Sequence, residues 1–153
     1  AAHLLKRLTY GPTPQQTAAF AGMGAAAALN QLFAFTLPPP PSYEGDVWVT
    51  RPPVEGSMLE RNVDGYLKKW WLGKMLADNT ALEKLTFFLH TMITVQLEKS
   101  AGNRGAYWQN HLFQQYLVAD FGNANPAYNY KRFIRKTAVD NAMLVFLDGE
   151  QNI

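Results

Sequence analysis

The sequence has no cysteine among its 153 residues. Zinc ribbons, disulfide frameworks and thiol catalysis are therefore excluded, and such a chain is compatible with an oxidising compartment. Charge is also scarce. Charged residues are 17% of the chain, and fourteen basic against twelve acidic side chains leave a net +2, too little for a nucleic-acid-binding domain. Gly-x-Ser-x-Gly, a phosphate-cradling glycine loop and a dinucleotide fingerprint are all missing. No cofactor is expected.

One region lacks charge altogether, from Leu8 to Tyr43. Its Ala18–Leu37 stretch is nominally long enough to cross a membrane. It is rejected as a span because Gly22, Gly24, Asn30 and Gln31 interrupt it and alanine gains little in lipid. Two short helices meeting near Gly22-Met23-Gly24 explain it better. A helix-turn-helix reading of the same region fails because phosphate contacts need cations.

What is present points to a core. Apolar residues are 48% of the chain, enough for burial to offset chain entropy in a single domain. The chain opens on Ala-Ala-His and closes on Gln151-Asn152-Ile153, and it is expected to be the N-terminal piece of a longer protein.

The pattern predicts an all-α fold, a compact multi-helix domain over residues 1–153. It divides into a helical hairpin region (1–36), a long Pro-rich strap (37–62) and a main helical body (63–153). His3–Thr9 is a short helix stopped by Gly11-Pro12. Thr13-Pro14 supplies an N-cap and a first-turn proline for a helix to about Ala21. Another runs from Ala25 to Phe35. Four prolines, Pro38 to Pro41, force extended geometry, and the strap is expected to lay Tyr43 and Trp48 onto the helices. A helix from Tyr66 to Ala77 follows. Thr80-Ala81-Leu82-Glu83 is a capping-box pattern for a central helix to about Gln96, with Leu82, Leu85, Leu89 and Met92 inward. Gly102–Gly105 is expected to be a flexible break. Ala106–Phe121 should bury Trp108, Leu112, Tyr116 and Ala119, with Gly122 as the stop. Asn125-Pro126 should start a helix burying Tyr130, Phe133, Ile134 and Thr137. Asp140 should cap the last helix, Asn141–Leu147.

Several residues could carry chemistry, and each has a structural alternative. His90 projects between Thr86 and Thr94 on the polar flank of its helix. Glu83 is two turns away, on the order of 10 Å, too far to share a metal ion unaided. His3 and His111 are isolated, so no metal site is expected. Lys131, Arg132, Arg135 and Lys136 form a basic cluster, a solvated face by default, with Arg132 and Arg135 the candidates for an acidic or phosphate-bearing partner. Asp148 and Glu150, with Asn152, form a small acidic tail that could cap a turn or open a site. Trp70, Trp71 and Trp108 fall in helical apolar patterns and are assigned to packing. Trp48, on the strap, is the candidate for ligand stacking.

A family pattern runs through these residues. The segment His3-Leu4-Leu5-Lys6-Arg7-Leu8-Thr9-Tyr10-Gly11-Pro12-Thr13 resembles the opening of the bacterial family called domain of unknown function 1800. Trp70-Trp71-Leu72 with Lys74-Met75, and Glu83-Lys84-Leu85 with Phe88-Leu89-His90, resemble its next signatures. Asp140–Leu144, Phe146-Leu147-Asp148 and Gln151-Asn152 resemble its Pro-Ala-Met-Leu, Leu-Asp, Gln-Asn run. Where the family often has a tryptophan before its first histidine, this chain has Leu89. Where it often has a second histidine, this chain has Met92, so a two-histidine metal site carried over from the family fails on one position.

The resemblance implies an exported bacterial protein of the periplasm or cell envelope, with no settled activity. Members of that family are commonly encoded beside a sulfatase-like partner, which implies polysaccharide-related work. An apolar, aromatic-rich helix set without an assembled catalytic constellation leads to the expectation of a helical scaffold or binding domain. The alternative is a hydrolase-like enzyme using His90, Asp148 and Glu150, completed by carboxylates further along the chain. Partners expected are the sulfatase-like family and the rest of its own chain, with no nucleic acid.

Overall fold

Thr13 and Pro14 start a helix for the reasons their chemistry suggests. The Thr13 hydroxyl accepts from the Gln16 amide at 3.2 Å, and Gln16 Oε1 accepts from the Thr13 amide at 2.7 Å. This reciprocal pair satisfies two donors the helix start would otherwise strand. The computed structural model describes residues 2–57, 62, 63, 65–123 and 127–149, and of residues 2 and 120–123 the backbone alone.

Among the described residues there are eight α-helices and no β-strand. They are α1 (Ala2–Leu8), α2 (Pro14–Ala21), α3 (Ala25–Leu32), α4 (Tyr66–Ala77), α5 (Leu82–Met92), α6 (Gly102–Asn123), α7 (Tyr130–Ala138) and α8 (Asn141–Phe146). The fold is all-α. No described helix is long and apolar enough to cross a membrane.

Among the described residues, two apolar clusters organise it. Leu5, Phe20, Ala28 and Leu32 form the first, inside α1–α3. The small Ala28 lets α3 come close, and the Ala81 amide donates to the Leu32 carbonyl at 2.8 Å, tying this unit to α5. The second cluster is Trp48, Val49, Val63, Leu67 and Tyr107. Here the Pro-rich strap lies on the helical body. Tyr66 Oη donates to the Ser42 carbonyl at 2.7 Å, and the Tyr43 and Tyr66 rings meet edge to face. Arg104 Nε donates to the Trp48 and Arg51 carbonyls. The Arg104 bonds meet carbonyls at the single 3-10 turn Trp48–Thr50 and just after it, which that short turn leaves open.

Several boundaries differ from the sequence pattern. Helix α3 ends at Leu32 and α5 at Met92. Residues 102–105 are no break but the first turn of α6. Helix α6 also runs through Gly122 to Asn123. Helix α7 begins at Tyr130, capped by Asn129, whose side chain accepts from the Arg132 amide; Asn125 and Pro126 lie outside the described residues. Asp140 does cap α8.

The start of α5 is an instructive departure. Thr80 Oγ1 accepts from the Leu82 amide, but the Glu83 amide is capped by Asp78 Oδ2 at 3.0 Å. Asp78 Oδ1 also accepts from the Thr80 amide and hydroxyl. With its amide satisfied from outside, Glu83 is released from the capping box and turns its carboxylate inward. Asp78→Ala is expected to cost about 1–2 kcal/mol, the usual loss for an N-cap acceptor. Urea unfolding measures it, and an unchanged midpoint would count against this capping role.

Three inward faces also differ. Helix α5 is rotated by about a quarter turn from its leucine stripe, burying Leu82, Glu83 and Thr86 while Phe88 and Met92 are exposed. Helix α6 buries Tyr107, Gln109, Asn110, Phe113 and Gln114, whereas Trp108 is exposed. Helix α7 buries Phe133 and Thr137 but exposes Tyr130 and Ile134. The reason is directional. The Thr86 and Thr137 hydroxyls donate to the carbonyls four residues back, and Glu83 is met by two donors, so these polar groups can be buried. Leucine makes no such directional demand.

Candidate functional site

Among the described residues, polar side chains gather beside aromatic ones in several regions, two of which combine acids or amides with a tryptophan. The first is a seam between α4, α5 and α6. Glu83 is 3% exposed. Its Oε2 accepts from Trp71 Nε1 at 2.7 Å and its Oε1 from Gln114 Nε2 at 2.9 Å. Burial raises its pKa to about 7; Asp78 adds to the rise, while Trp71, Lys74 and Gln114 oppose it. Tyr10 is pushed up to about 12, mainly by burial and further by Glu83. Lys84 Nζ lies over the Tyr10 ring, 4.5 Å from its centroid.

His90 lies two turns along the same face, between Trp71 and Phe113, with ring centroids 5.0 and 4.6 Å away. Burial depresses its pKa to about 4, so the ring is neutral at physiological pH. Its Nε2 is buried without a partner in the protein, as is Asn110 Oδ1. Both residues line a recess of about 180 Å³ with Trp71 and Lys68. Asp148 does not line this recess. It follows α8 as an exposed residue at φ 54°. Glu150 lies outside the described residues. Among the described residues, no three of His, Asp and Glu gather as a metal-binding set.

The second region is a groove of about 570 Å³ where the first turn of α6 meets the start of α8. Trp108, Asn103, Arg104, Asp140 and Asn141 line it, with Pro53 and Val63 from the strap side. Trp108 is 45% exposed, yet its Nε1 donates to the Val49 carbonyl at 3.2 Å. The strap thus holds the indole by its edge and leaves part of it open. Asn103 Oδ1 is buried with no partner in the protein. Asp140 is half-buried, its pKa raised by that burial against the lowering effect of the helix amides it caps.

The roles of two tryptophans are thereby exchanged. Trp48 is 0% exposed, with the Arg104 guanidinium 5.4 Å from its ring centroid. No ring face is left for a ligand, so its assignment as a stacking platform is corrected. Trp108, assigned to packing, is the open ring. Place in the chain could not decide between them, because Trp48 is carried by the strap and buried in a cluster with Leu67 and Tyr107, whereas Trp108 is held at its edge by Val49 of the same strap. The local signals for the groove were polar residues at two helix starts, Asn103 and Asp140-Asn141, which only the fold brings together. The structure also places Arg132 and Arg135 together, along the outer side of α7.

The family description "Protein of unknown function (DUF1800)" matches residues 3–153. The chain belongs to this family. No curated protein and no solved structure matches it. The first three segments that resemble the DUF1800 signatures meet one another in the fold. Trp71 of the second bonds Glu83 of the third, Lys84 of the third covers Tyr10 of the first, and Asp140 caps the last. In this DUF1800 chain the Trp71–Glu83 bond ties α4 to α5, and Asp140 starts α8.

Proposed function

We propose that the chain is a helical binding domain, and that the groove beside Trp108 holds an uncharged, hydroxyl-rich ligand of the carbohydrate class. One observation carries the reading: an indole fixed through its own N–H beside Asn103, Asp140 and Asn141 in a groove of about 570 Å³. A sugar presents apolar C–H faces and a rim of hydroxyls. The first suits an aromatic ring and the second suits amide and carboxylate groups. The volume falls within the usual range for small-ligand sites. Export to the cell envelope, polysaccharide-related work and association with a sulfatase-like partner belong to the same proposal. The family resemblance supports them, and the absence of cysteine is compatible with them.

The test is a titration with neutral mono- and oligosaccharides followed by NMR. The Trp108 indole N–H and the Asn141 side chain are expected to shift. Trp108→Ala should weaken binding by about tenfold or more, as for a central aromatic contact. Asp148→Asn, outside the groove, should leave it unchanged. A ligand that binds equally well to Trp108→Ala, or a saccharide panel that moves neither signal, sinks the reading. The hydrolase alternative has less support, because Asp148 does not share the recess His90 lines.

A further inference from the structure

The basic cluster of α7 is not absorbed by the Trp108 groove. Arg132, Arg135 and Lys136 line one groove of about 450 Å³, whose wall is completed by Tyr116, Ala127 and Val139. Between Phe121 and Val139 the sequence holds four cations and no acid. Among the described residues, none of the four takes part in an ion pair.

Helix stability does not account for this arrangement. Arg135 and Lys136 sit in the last turn, where the helix dipole favours cations, but Lys131 and Arg132 sit in the first, where it disfavours them. The pairs Lys131–Arg135 and Arg132–Lys136 are four residues apart, the spacing at which like charges repel. The Arg132 guanidinium has one long contact, 3.5 Å to the Ala127 carbonyl. The chain thus gathers three cations in one groove at some expense to the helix itself.

We infer that this groove binds a phosphate monoester. Two guanidinium groups and an ammonium match a compact dianion whose three terminal oxygens all accept hydrogen bonds, and arginine suits such oxygens through its planar pair of donors. Tyr116, Ala127 and Val139 give the organic part of the ester an apolar wall. The Tyr116 ring is braced edge to face by Tyr128, centroids 5.1 Å apart. The same group could arrive on a soluble molecule or as a lipid headgroup.

The test uses the full chain with glucose 6-phosphate, glucose, inorganic phosphate, and phosphatidylcholine vesicles with and without phosphatidic acid. Glucose 6-phosphate is expected to shift the amides of residues 132–136, to be displaced by inorganic phosphate, and to outbind glucose. Arg132→Gln with Arg135→Gln should weaken binding by about tenfold or more, given the strength of charge-assisted hydrogen bonds. Lys131→Gln removes one charge from the same helix but lines no part of the groove, so it should change binding by less than about twofold. These side chains are exposed, so the variants should fold, which circular dichroism checks. Binding to phosphatidic acid vesicles alone, lost in the double variant, assigns the site to a lipid headgroup. If Lys131→Gln weakens binding as much as the double variant, the effect is diffuse charge and the site is refuted. Silence from every phosphate probe refutes it as well.

Discussion

Gly105→Ala is expected to destabilise the protein by about 3 kcal/mol, the upper range for forcing atoms into a packed site. The ordinary expectation has the opposite sign. Within a helix, alanine is better than glycine by roughly 1 kcal/mol, through backbone entropy. Gly105 lies in α6, where that rule should apply. Yet a Cβ there would stand 1.9 Å from the Ser100 carbonyl oxygen and 3.0 Å from the Ala101 Cβ. The obstacle is backbone, and it has little room to retreat. Ser100 is fully buried and its hydroxyl donates to the Leu97 carbonyl. Ala101 and Gly102 follow at φ 59° and 69°, so the chain turns sharply into α6 at this point. The bend fits only because residue 105 has no side chain. Gly105 also lines the Trp108 groove, so saccharide binding should weaken together with stability. The unfolding midpoint in guanidinium decides the matter. An alanine variant as stable as the parent, or more so, would show that the Ser100 carbonyl does not pack where it is described.

The second large effect belongs to Glu83. Glu83→Ala would leave Trp71 Nε1 and Gln114 Nε2 as buried donors without an acceptor, at a cost of about 2–4 kcal/mol. Glu83→Gln should be milder. The Gln114 side-chain oxygen is buried and unpartnered, so an amide flip of Gln114 lets it accept from the new amide while Trp71 keeps its acceptor.

The milder variant also tests the protonation state of the seam. The folded chain holds the Glu83 proton up to about pH 7, whereas an unperturbed carboxyl loses it near 4.5. Deprotonation therefore favours the unfolded chain. Stability is withdrawn as pH rises from 4.5 through about 7, by roughly 3 kcal/mol in all. His90 acts in the opposite sense. Its pKa falls from 6.5 to about 4 on folding, so stability is withdrawn as pH drops through that interval, by a similar rough amount. In the parent protein the two slopes nearly cancel. In Glu83→Gln the first is gone. The variant should gain on the parent as pH rises from 4.5 to 7, and its own stability should fall on acidification. Thermal or urea unfolding across that interval reads both trends. A stability difference that stays constant with pH would mean that Glu83 is ionised throughout.

These predictions rest on features of unequal legibility. The helix starts at Thr13-Pro14 and Asp140 could be read directly, because capping is settled by side chains within three or four residues of one another. The strap was legible because four consecutive prolines exclude both helix and sheet ladder. The faces of α5 and α6 were not. Both carry apolar residues on more than one side, and which side is buried depends on a partner distant in sequence. Glu83 shows this most clearly. Its position in a Thr-x-x-Glu pattern pointed to a cap, and only Asp78 and the two donors across the seam turned it into a buried acid.

The candidate sites divide in the same way. Arg132 and Arg135 could be named because their spacing along one helix already places them side by side. Trp48 and Trp108 are separated by sixty positions, and which of them stays open depends on how the strap packs on the helices, which no local pattern shows.

The sequence by itself determined the family, the all-α class, the capped helix starts, the strap and the basic face of α7. Each depends on neighbours in the chain or on the covalent restrictions of proline. The tertiary structure alone decided which flank of each helix is buried, which tryptophan remains open, and that Glu83 shares a seam with His90. The Glu83 carboxyl is buried because donors from two other helices, Trp71 and Gln114, arrive to meet it, and the packing of the helices provides them.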